Sequence, residues 1–151
     1  MLWVMRGRRR FAAVTAVLLA IAAPALAANF TSGGYGGKTK QGKRISFKAS
    51  LDNGELTKMK FSERGTCNNG DKSKGTQGPL SAAVNDSGKF HISGTSSSGG
   101  TKLTLNGKIS GSKAHGSFTI RSRFNSAGKA DPNGSVKCTT GKVKWNAKQG
   151  G

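Results

Sequence analysis

The sequence predicts an all-β fold, a single antiparallel β-sandwich or flattened β-barrel of about seven to nine short strands. Three observations predict it. Apolar residues alternate with polar ones, as Leu103, Leu105 and Ile109 do, and this period of two is typical of half-buried strands. Glycine-containing turns recur at intervals of about ten residues. After residue 27, no segment of useful length has the period of a helix.

The most regular stretch, residues 103–124, is the predicted centre of the sheet. It contains two alternating apolar sets, of which the second begins with Phe118 and Ile120. Within the first set lies Asn106-Gly107, a dipeptide that readily takes the positive φ angles of a tight hairpin turn. The stretch therefore predicts a β-meander of two or three strands with a turn at Asn106-Gly107.

Turns divide the rest of the chain into further short strands. A hairpin is expected over residues 38–51 with its turn at Gln41-Gly42, and a strand over residues 56–67 places Cys67 on the apolar side. In the hairpin, the residues predicted to be buried are Ile45, Phe47, Ala49 and Leu51. The other predicted segments are a polar loop over 68–78, strands over 79–84 and 89–93, a mobile connection over 93–100, a loop over 125–133, and strands over 135–138 and 142–146.

The first 27 residues have the composition of an export signal. Four arginines within residues 6–10 precede an apolar run over residues 11–23, and Ala-Leu-Ala at residues 25–27 forms a cleavage site. We therefore expect a signal peptide over residues 1–27, a secreted or envelope-associated mature chain, and no transmembrane segment after cleavage. The arginine run leaves twin-arginine export open beside the general secretory route.

The remaining 124 residues provide for one domain with a modest core. We expect a flexible glycine-rich segment over residues 28–37 and a single β domain over residues 38–148, monomeric and without a cofactor. The signal carries four of the 25 basic side chains and none of the six acidic ones, so the mature chain has a net charge of +15. Such a charge favours contact with polyanions and opposes self-association.

Cys67 and Cys138 are the two cysteines of the chain. In an exported chain, an even pair of cysteines is expected to be bridged, because the compartment is oxidising. Both residues fall on the apolar face of a predicted strand, and the bridge would contribute about 4 kcal/mol through chain entropy. The alternative, a pair of catalytic or metal-binding thiols, lacks the close Cys-x-x-Cys or Cys/His spacing of such sites.

A Gly-Lys dipeptide recurs at the ends of predicted strands. One interpretation is that glycine closes each hairpin while lysine prevents the strand end from pairing with other molecules. The alternative is a binding surface built from lysines. The four dipeptides are Gly42-Lys43, Gly88-Lys89, Gly107-Lys108 and Gly141-Lys142.

The C-terminal stretch CTTGKVKWNA, from Cys138 to Ala147, resembles the C-S-G-x-V-x-W-x-A ending of many small exported proteins of Gram-positive, high-G+C bacteria. The segments GKTKQGKRISFKAS and KISGSKAHGSF and the single cysteine after the Phe61 strand are similar to that group as well. Thr139 departs from the usual serine. The resemblance implies an exported β domain with one disulfide, in a group with no assigned activity.

No reaction-specific constellation is present, and we expect the protein not to be an enzyme. His91 and His115 have outward parity on predicted strands, and nearly all the acidic residues fall in turns or loops. Two histidines without a third ligand at a defined spacing are more typical of solvated side chains than of a metal site. No serine lies in a Gly-x-Ser-x-Gly pattern. No metal is therefore expected.

Binding of a polyanion is the favoured function. A broad basic surface holds phosphate or carboxylate groups electrostatically, with a strong dependence on salt. The basic residues at outward positions of predicted strands are Arg44, Lys48, Lys108, Arg121, Arg123, Lys142 and Lys144.

The expected partner is an anionic cell-wall or extracellular polymer. Specific recognition of nucleic acid is not expected, because Tyr35 alone among the aromatic residues falls at a position free for base stacking. Two alternatives remain: a barrel that binds a small apolar ligand, and a stable secreted domain with no polyanion role.

Overall fold

The computed structural model describes residues 29–151, in which every regular element is a β-strand. The all-β prediction is confirmed. The predicted signal peptide over residues 1–27 lies outside the described residues. The nine strands are β1 (Gly33–Thr39), β2 (Arg44–Ser50), β3 (Glu55–Cys67), β4 (Lys72–Ala83), β5 (Lys89–Thr95), β6 (Thr101–Ser110), β7 (Lys113–Phe124), β8 (Val136–Thr139) and β9 (Val143–Gln149).

Six of these strands form a closed antiparallel barrel. Around the ring the order is β3, β2, β1, β9, β7 and β8, and β8 pairs with β3 again. Strand β4 continues the sheet outside β3, while β6 and then β5 continue it outside β7. The long strands β3 and β7 are therefore separated by three strands at one end and by the short β8 alone at the other.

The ring closes at β8 through a disulfide and a few backbone hydrogen bonds. Cys67 faces Cys138 directly across β3 and β8, with their Cα atoms 3.9 Å apart, and the two are bonded. Beyond the bridge, the Asn68 N–H donates to the Lys137 carbonyl at 2.9 Å, and the Lys137 N–H donates to the Asn68 side chain at 3.0 Å. The predicted disulfide is confirmed.

A glutamine side chain occupies the gap in the sheet beside β8. At the tip of the β1–β2 hairpin, the Gln41 amide nitrogen donates to the Arg64 carbonyl at 2.6 Å. The same side chain accepts the Arg64 N–H at 2.9 Å. One amide thus satisfies both backbone groups of a β3 residue where no strand is present to do so.

The barrel interior is filled by aromatic and aliphatic side chains. Trp145 is 1% exposed, and its ring lies 6.2 Å from that of Phe47 and 6.1 Å from that of Phe90. At the other end of the core, Phe61 and Phe118 are in contact at 4.5 Å between ring centroids. Burying rings of this size is the main favourable contribution to folding.

Asn106-Gly107 is not the turn that the sequence predicted. The dipeptide lies within β6, and the chain reverses after it, at Gly111, whose φ is +57°. Gly107 lies beneath two rings instead: a Cβ at this position would contact Phe90 and come within 2.8 Å of Trp145 Cζ2. Glycine is therefore required here for space and not for a positive φ.

The polar loop predicted over residues 68–78 is also wrong, since β4 begins at Lys72. Strand β4 lies at the edge of the sheet and pairs with β3 along most of its length. Its side chains are exposed or half-buried, and residues 72–78 include no large apolar side chain that would indicate a strand. Leu80 and Ala82, within the strand predicted over 79–84, pack against the core. Backbone hydrogen bonding to a long neighbour holds such a strand in place.

A bulge changes the face of residues at the beginning of β3. Regular alternation along the predicted strand over residues 56–67 would place Thr57 on the same face as Met59. The pairing with β2 and β4 shifts here, Lys58 has a φ of +54°, and both Leu56 and Met59 are fully buried. Leu51 was expected in the core but lies in the preceding turn and is 38% exposed.

The sheet begins earlier than expected. Strand β1 starts at Gly33, so residues 33–37, predicted as part of a flexible segment, are paired with β2, and residues 35–37 are also paired with β9. Tyr35 was expected to be free, but it is 2% exposed and stacks on Phe47 at 5.0 Å between centroids. Its hydroxyl donates to the Thr31 carbonyl at 2.6 Å, and burial raises the pKa of Tyr35.

The disulfide is expected to carry much of the stability of this domain. Cys67→Ser combined with Cys138→Ser should lower the free energy of unfolding by about 4 kcal/mol, because the bridge joins residues 71 apart in the chain. Urea denaturation of the oxidised wild type and the double variant measures the difference. A loss well below about 1 kcal/mol would mean that the hydrogen bonds at β8 close the ring unaided.

The space beside Trp145 gives a second prediction. Gly116 faces Gly107 across β6 and β7, and a Cβ on it would contact the Asn106 carbonyl and lie 2.7 Å from Trp145 Cζ2. Gly116→Ala should therefore lower the free energy of unfolding by about 1–3 kcal/mol through overpacking.

Gly94→Ala, on β5, is the matched control, because a Cβ there meets no atom within 4 Å. Thermal or urea denaturation compares the two variants. Equal stability of both variants would contradict the proposed packing.

Candidate functional site

The basic side chains lie on the outward faces of the strands, in rows that cross the sheet. The longest row, which we name the first row, combines four cations with a histidine and an asparagine. Each member pairs directly with the next across β5, β6, β7, β9, β1 and β2. In order, the members are Lys89, Lys108, His115, Asn146, Lys38 and Arg44.

Basic residues repeatedly face other basic residues across neighbouring strands. Like charges placed directly opposite one another are destabilising, by roughly 0.2–1 kcal/mol for a cross-strand pair. Across all the strand pairs of residues 29–151, no acidic residue faces a basic one, so the sheet itself does not compensate this charge. The six opposed pairs are Lys38 and Arg44, Arg64 and Lys74, Lys89 and Lys108, Lys102 and Arg121, Lys113 and Lys148, and Arg123 and Lys137.

A trough lies over β1, in the middle of the basic face. The outward residues Gly34 and Gly36 have no side chain, so the sheet surface is low between β9 and β2. We name this depression the β1 trough. Its main part has a volume of about 570 Å³, and its basic lining residues are Lys38, Arg44, Lys60 and Lys148.

The direct neighbours of Gly36 across the sheet define the walls of the β1 trough. Lys148 lies on one side and Ser46 on the other, and beyond them lie Lys113 and Lys60. The chain itself covers part of the floor, since the Gly151 carbonyl contacts the position that a Gly36 Cβ would take. Three side chains of this row, Lys148, Lys113 and Lys60, are therefore positively charged around a floor formed by the buried Gly36 backbone and by Gly151.

The predicted basic residues separate into three groups. Arg44 lines the β1 trough and Lys48 lines its continuation, while Lys108 belongs to the first row. Lys144 is exposed on β9 opposite Ser117, and Lys142 is exposed just before β9. Arg121 and Arg123 lie at the far end of β7 and form a separate concave cluster.

The sequence reasoning missed several cations that complete these groups. Their signal was the same alternation of exposed and buried positions. Lys38, Lys60, Lys89, Lys113 and Lys137 fall within predicted strands or the predicted meander, whereas Lys102 and Lys148 lie where the observed strands extend beyond the predicted ends. Which cations face one another depends on register between strands distant in sequence, and no local pattern encodes it. The missed residues are Lys38, Lys60, Lys89, Lys102, Lys113, Lys137 and Lys148.

Glu63 is the one acidic residue buried within residues 29–151, at 7% exposure. It faces inward on β3, beside Gly75 of β4. Burial raises the pKa of Glu63, and a hydrogen bond from Gln77 opposes the rise. Because this carboxylate lies inside, the outer surface has one fewer negative charge to offset its lysines and arginines.

The two histidines lie on the outer face without an acidic partner. The Nδ1 atom of His91 is 2.7 Å from the Asn106 side-chain oxygen. His115 lies between Lys108 and Asn146 in the first row. Within residues 29–151, no group of three histidine, cysteine or acidic side chains is placed to hold a metal ion.

Comparisons with known proteins add no family. No protein-family model matches the chain, and no curated protein matches it. In the described part of the chain there is also no helix of the length and hydrophobicity needed to cross a bilayer. The function must therefore be inferred from the arrangement of the side chains.

The buried carboxyl group predicts a dependence of stability on pH. Since the pKa of Glu63 is raised in the folded state above its ordinary value of 4.5, the contribution of this group is present at lower pH and is lost as the pH rises through the folded-state pKa. The glutamine side chain of Glu63→Gln does not ionise. The variant should therefore keep the free energy of unfolding that the wild type loses, and should be more stable than the wild type at pH 7.

Urea denaturation between pH 4 and 8 follows the effect, with Glu55→Gln as the control that removes one charge from a half-buried position of the same strand. A Glu63→Gln variant that is less stable than the wild type at pH 7 would contradict the assignment.

Proposed function

We propose that this protein binds a linear anionic polymer of the cell envelope or the extracellular space, by charge and without catalysis. The β1 trough and the first row are the binding surface. The lysines and arginines of both contact phosphate, sulfate or carboxylate groups of the polymer. No step of chemistry is required of the histidines or of Glu63.

The observation that carries this proposal is the set of opposed cations without opposing acids. Each pair costs stability in the free protein, and an anion bound between the two side chains removes that repulsion. Lys38 and Arg44 form such a pair at the wall of the β1 trough, and Lys113 and Lys148 form another. A partner of opposite charge therefore gains both the attraction and the relief of repulsion.

The extent of the first row favours a polymer over a small anion. The row crosses six strands, from Lys89 on β5 to Arg44 on β2. Neighbouring strands are about 4.8 Å apart, so the row extends over roughly 24 Å along the sheet. A chain with several charges can contact both ends of this row at once.

The surroundings of the charges favour electrostatic binding over base stacking or apolar binding. On residues 29–151, Leu51 is the one large hydrophobic side chain that is exposed, so the basic face has no aromatic platform. Rings such as Trp145 and Phe61 occupy the barrel interior, where a small apolar ligand would otherwise bind. The disulfide fits a protein that works outside the cytoplasm.

Salt elution from an anionic matrix tests the proposal. We expect the wild type to bind heparin and isolated cell wall at low salt and to be released as salt is raised. Lys38→Gln combined with Arg44→Gln should elute at clearly lower salt. Its slope of log affinity against log salt should be smaller by about one for each lost contact.

The matched control removes the same charge from elsewhere. Lys72 faces Thr66 and Lys129 lies in a turn, so neither opposes another cation. The variant Lys72→Gln with Lys129→Gln should elute close to the wild type. If both double variants shift equally, net charge and not this surface governs binding; if the wild type is not retained at low salt, the proposed function is wrong.

A further inference from the structure

A second concave cluster lies about 20 Å along the sheet from the first row, at the other end of β6 and β7. Lys102 and Arg121 face each other there, and Arg123 follows on the same side of β7. Together with Gly99, Gly100 and Pro132, they line a hollow of about 390 Å³. We name this hollow the arginine cradle.

The backbone fixes the position of Arg123 in the arginine cradle. Its N–H donates to the Gly100 carbonyl at 2.7 Å, and its carbonyl accepts the Asp131 N–H at 2.9 Å. The guanidinium group lies 3.4 Å from the Pro132 carbonyl, with which it forms a long hydrogen bond. Two loops thus form hydrogen bonds with the Arg123 backbone, while most of the N–H donors of its guanidinium group make no hydrogen bond to the described residues.

No carboxylate lines the arginine cradle. The nearest acidic residue in the rim, Asp131, accepts the Asn133 N–H at 2.8 Å and so caps its own turn. A further cation, Lys137, faces Arg123 across β7 and β8. Three basic groups therefore line one hollow, a fourth lies beside Arg123, and the residues that line the hollow offer no counter-charge.

From this geometry we infer that the arginine cradle is a binding site for a single tetrahedral oxyanion, a phosphate or sulfate group. Lys102, Arg121 and Arg123 approach the hollow from two strands and at two levels. A tetrahedral group can present an oxygen to each of three donors, whereas a carboxylate has two oxygens in one plane. Arginine forks match the geometry of such oxyanions.

The inference deepens the proposed function, because it names the charged group of the polymer that this end of the sheet recognises. That the phosphate or sulfate group belongs to a polymer rests on the proposed function. The existence of the site does not rest on it. A free phosphate ion and a phosphate within a polymer have the same chemistry, so the two sources are separated by experiment.

The first arm of the test uses inorganic ions on the intact folded domain. Sodium phosphate and sodium sulfate, added at constant ionic strength, should produce saturable shifts of the Gly99, Gly100 and Arg123 amide signals in ¹H–¹⁵N spectra. Sodium acetate should not. Arg123→Gln should weaken phosphate binding at least about tenfold, since hydrogen bonds to charged groups are strong.

Lys129→Gln is the matched control, because it removes one positive charge from outside the arginine cradle. Its affinity for phosphate should equal that of the wild type. Dispersed spectra of each variant establish that it is folded. Shifts that acetate reproduces, or that Arg123→Gln leaves unchanged, would overturn the site.

The second arm separates the two sources and the two proposals. A poly(glycerol phosphate) chain should shift the same amides at a lower phosphate concentration than the free ion does, because it also contacts the first row. Lys38→Gln with Arg44→Gln should remove that advantage while leaving binding of free phosphate intact. Loss of phosphate shifts in that variant would overturn a separate cradle, whereas loss of polymer binding alone would leave the cradle in place with free phosphate as its ligand.

Discussion

The closure of the ring at β8 is the constraint on which the rest of the molecule depends. Strands β3 and β7 lie far apart in sequence, and β8 joins them with two residue pairs on one side and four on the other. The bond between Cys67 and Cys138 reinforces the narrower side. Four strands of this ring, β7, β9, β1 and β2, carry part of the first row. Their pairing does not pass through β8, so closure at β8 determines the curvature of the surface on which the row lies and not its register.

The packing inside the barrel determines where function can lie. Gly107 and Gly116 give Trp145 the space to fill the centre, and the rings around it leave the outer face as the surface for contacts. On that face the same residue type has another effect, because Gly36 removes a side chain from the middle of the lysines. Glycine thus shapes the core on one side of the sheet and the β1 trough on the other.

The sequence was sufficient to predict which side chains of a strand face the core, but not which strands lie next to one another. Alternation alone was enough to predict His91 outward, both cysteines on the buried face and the outward arginines. It failed for the first half of β4, residues 72–78, which pairs through its backbone without large apolar side chains. It also failed for Asn106-Gly107, because a turn dipeptide and a space-making glycine look alike in sequence. The candidate site was half predicted for the same reason: opposed cations arise from long-range register, which alternation within one strand does not contain.

The register of the first row also determines an interval between charges. Lys89 and Lys108 occupy adjacent strands, and after two uncharged or titratable positions Lys38 and Arg44 occupy the next adjacent pair. With strands about 4.8 Å apart, a gap of roughly 14 Å separates Lys108 from Lys38, and the second doublet begins roughly 19 Å after the first. A polymer bound as we propose would therefore be selected by the distance between its anionic repeats as well as by its charge density.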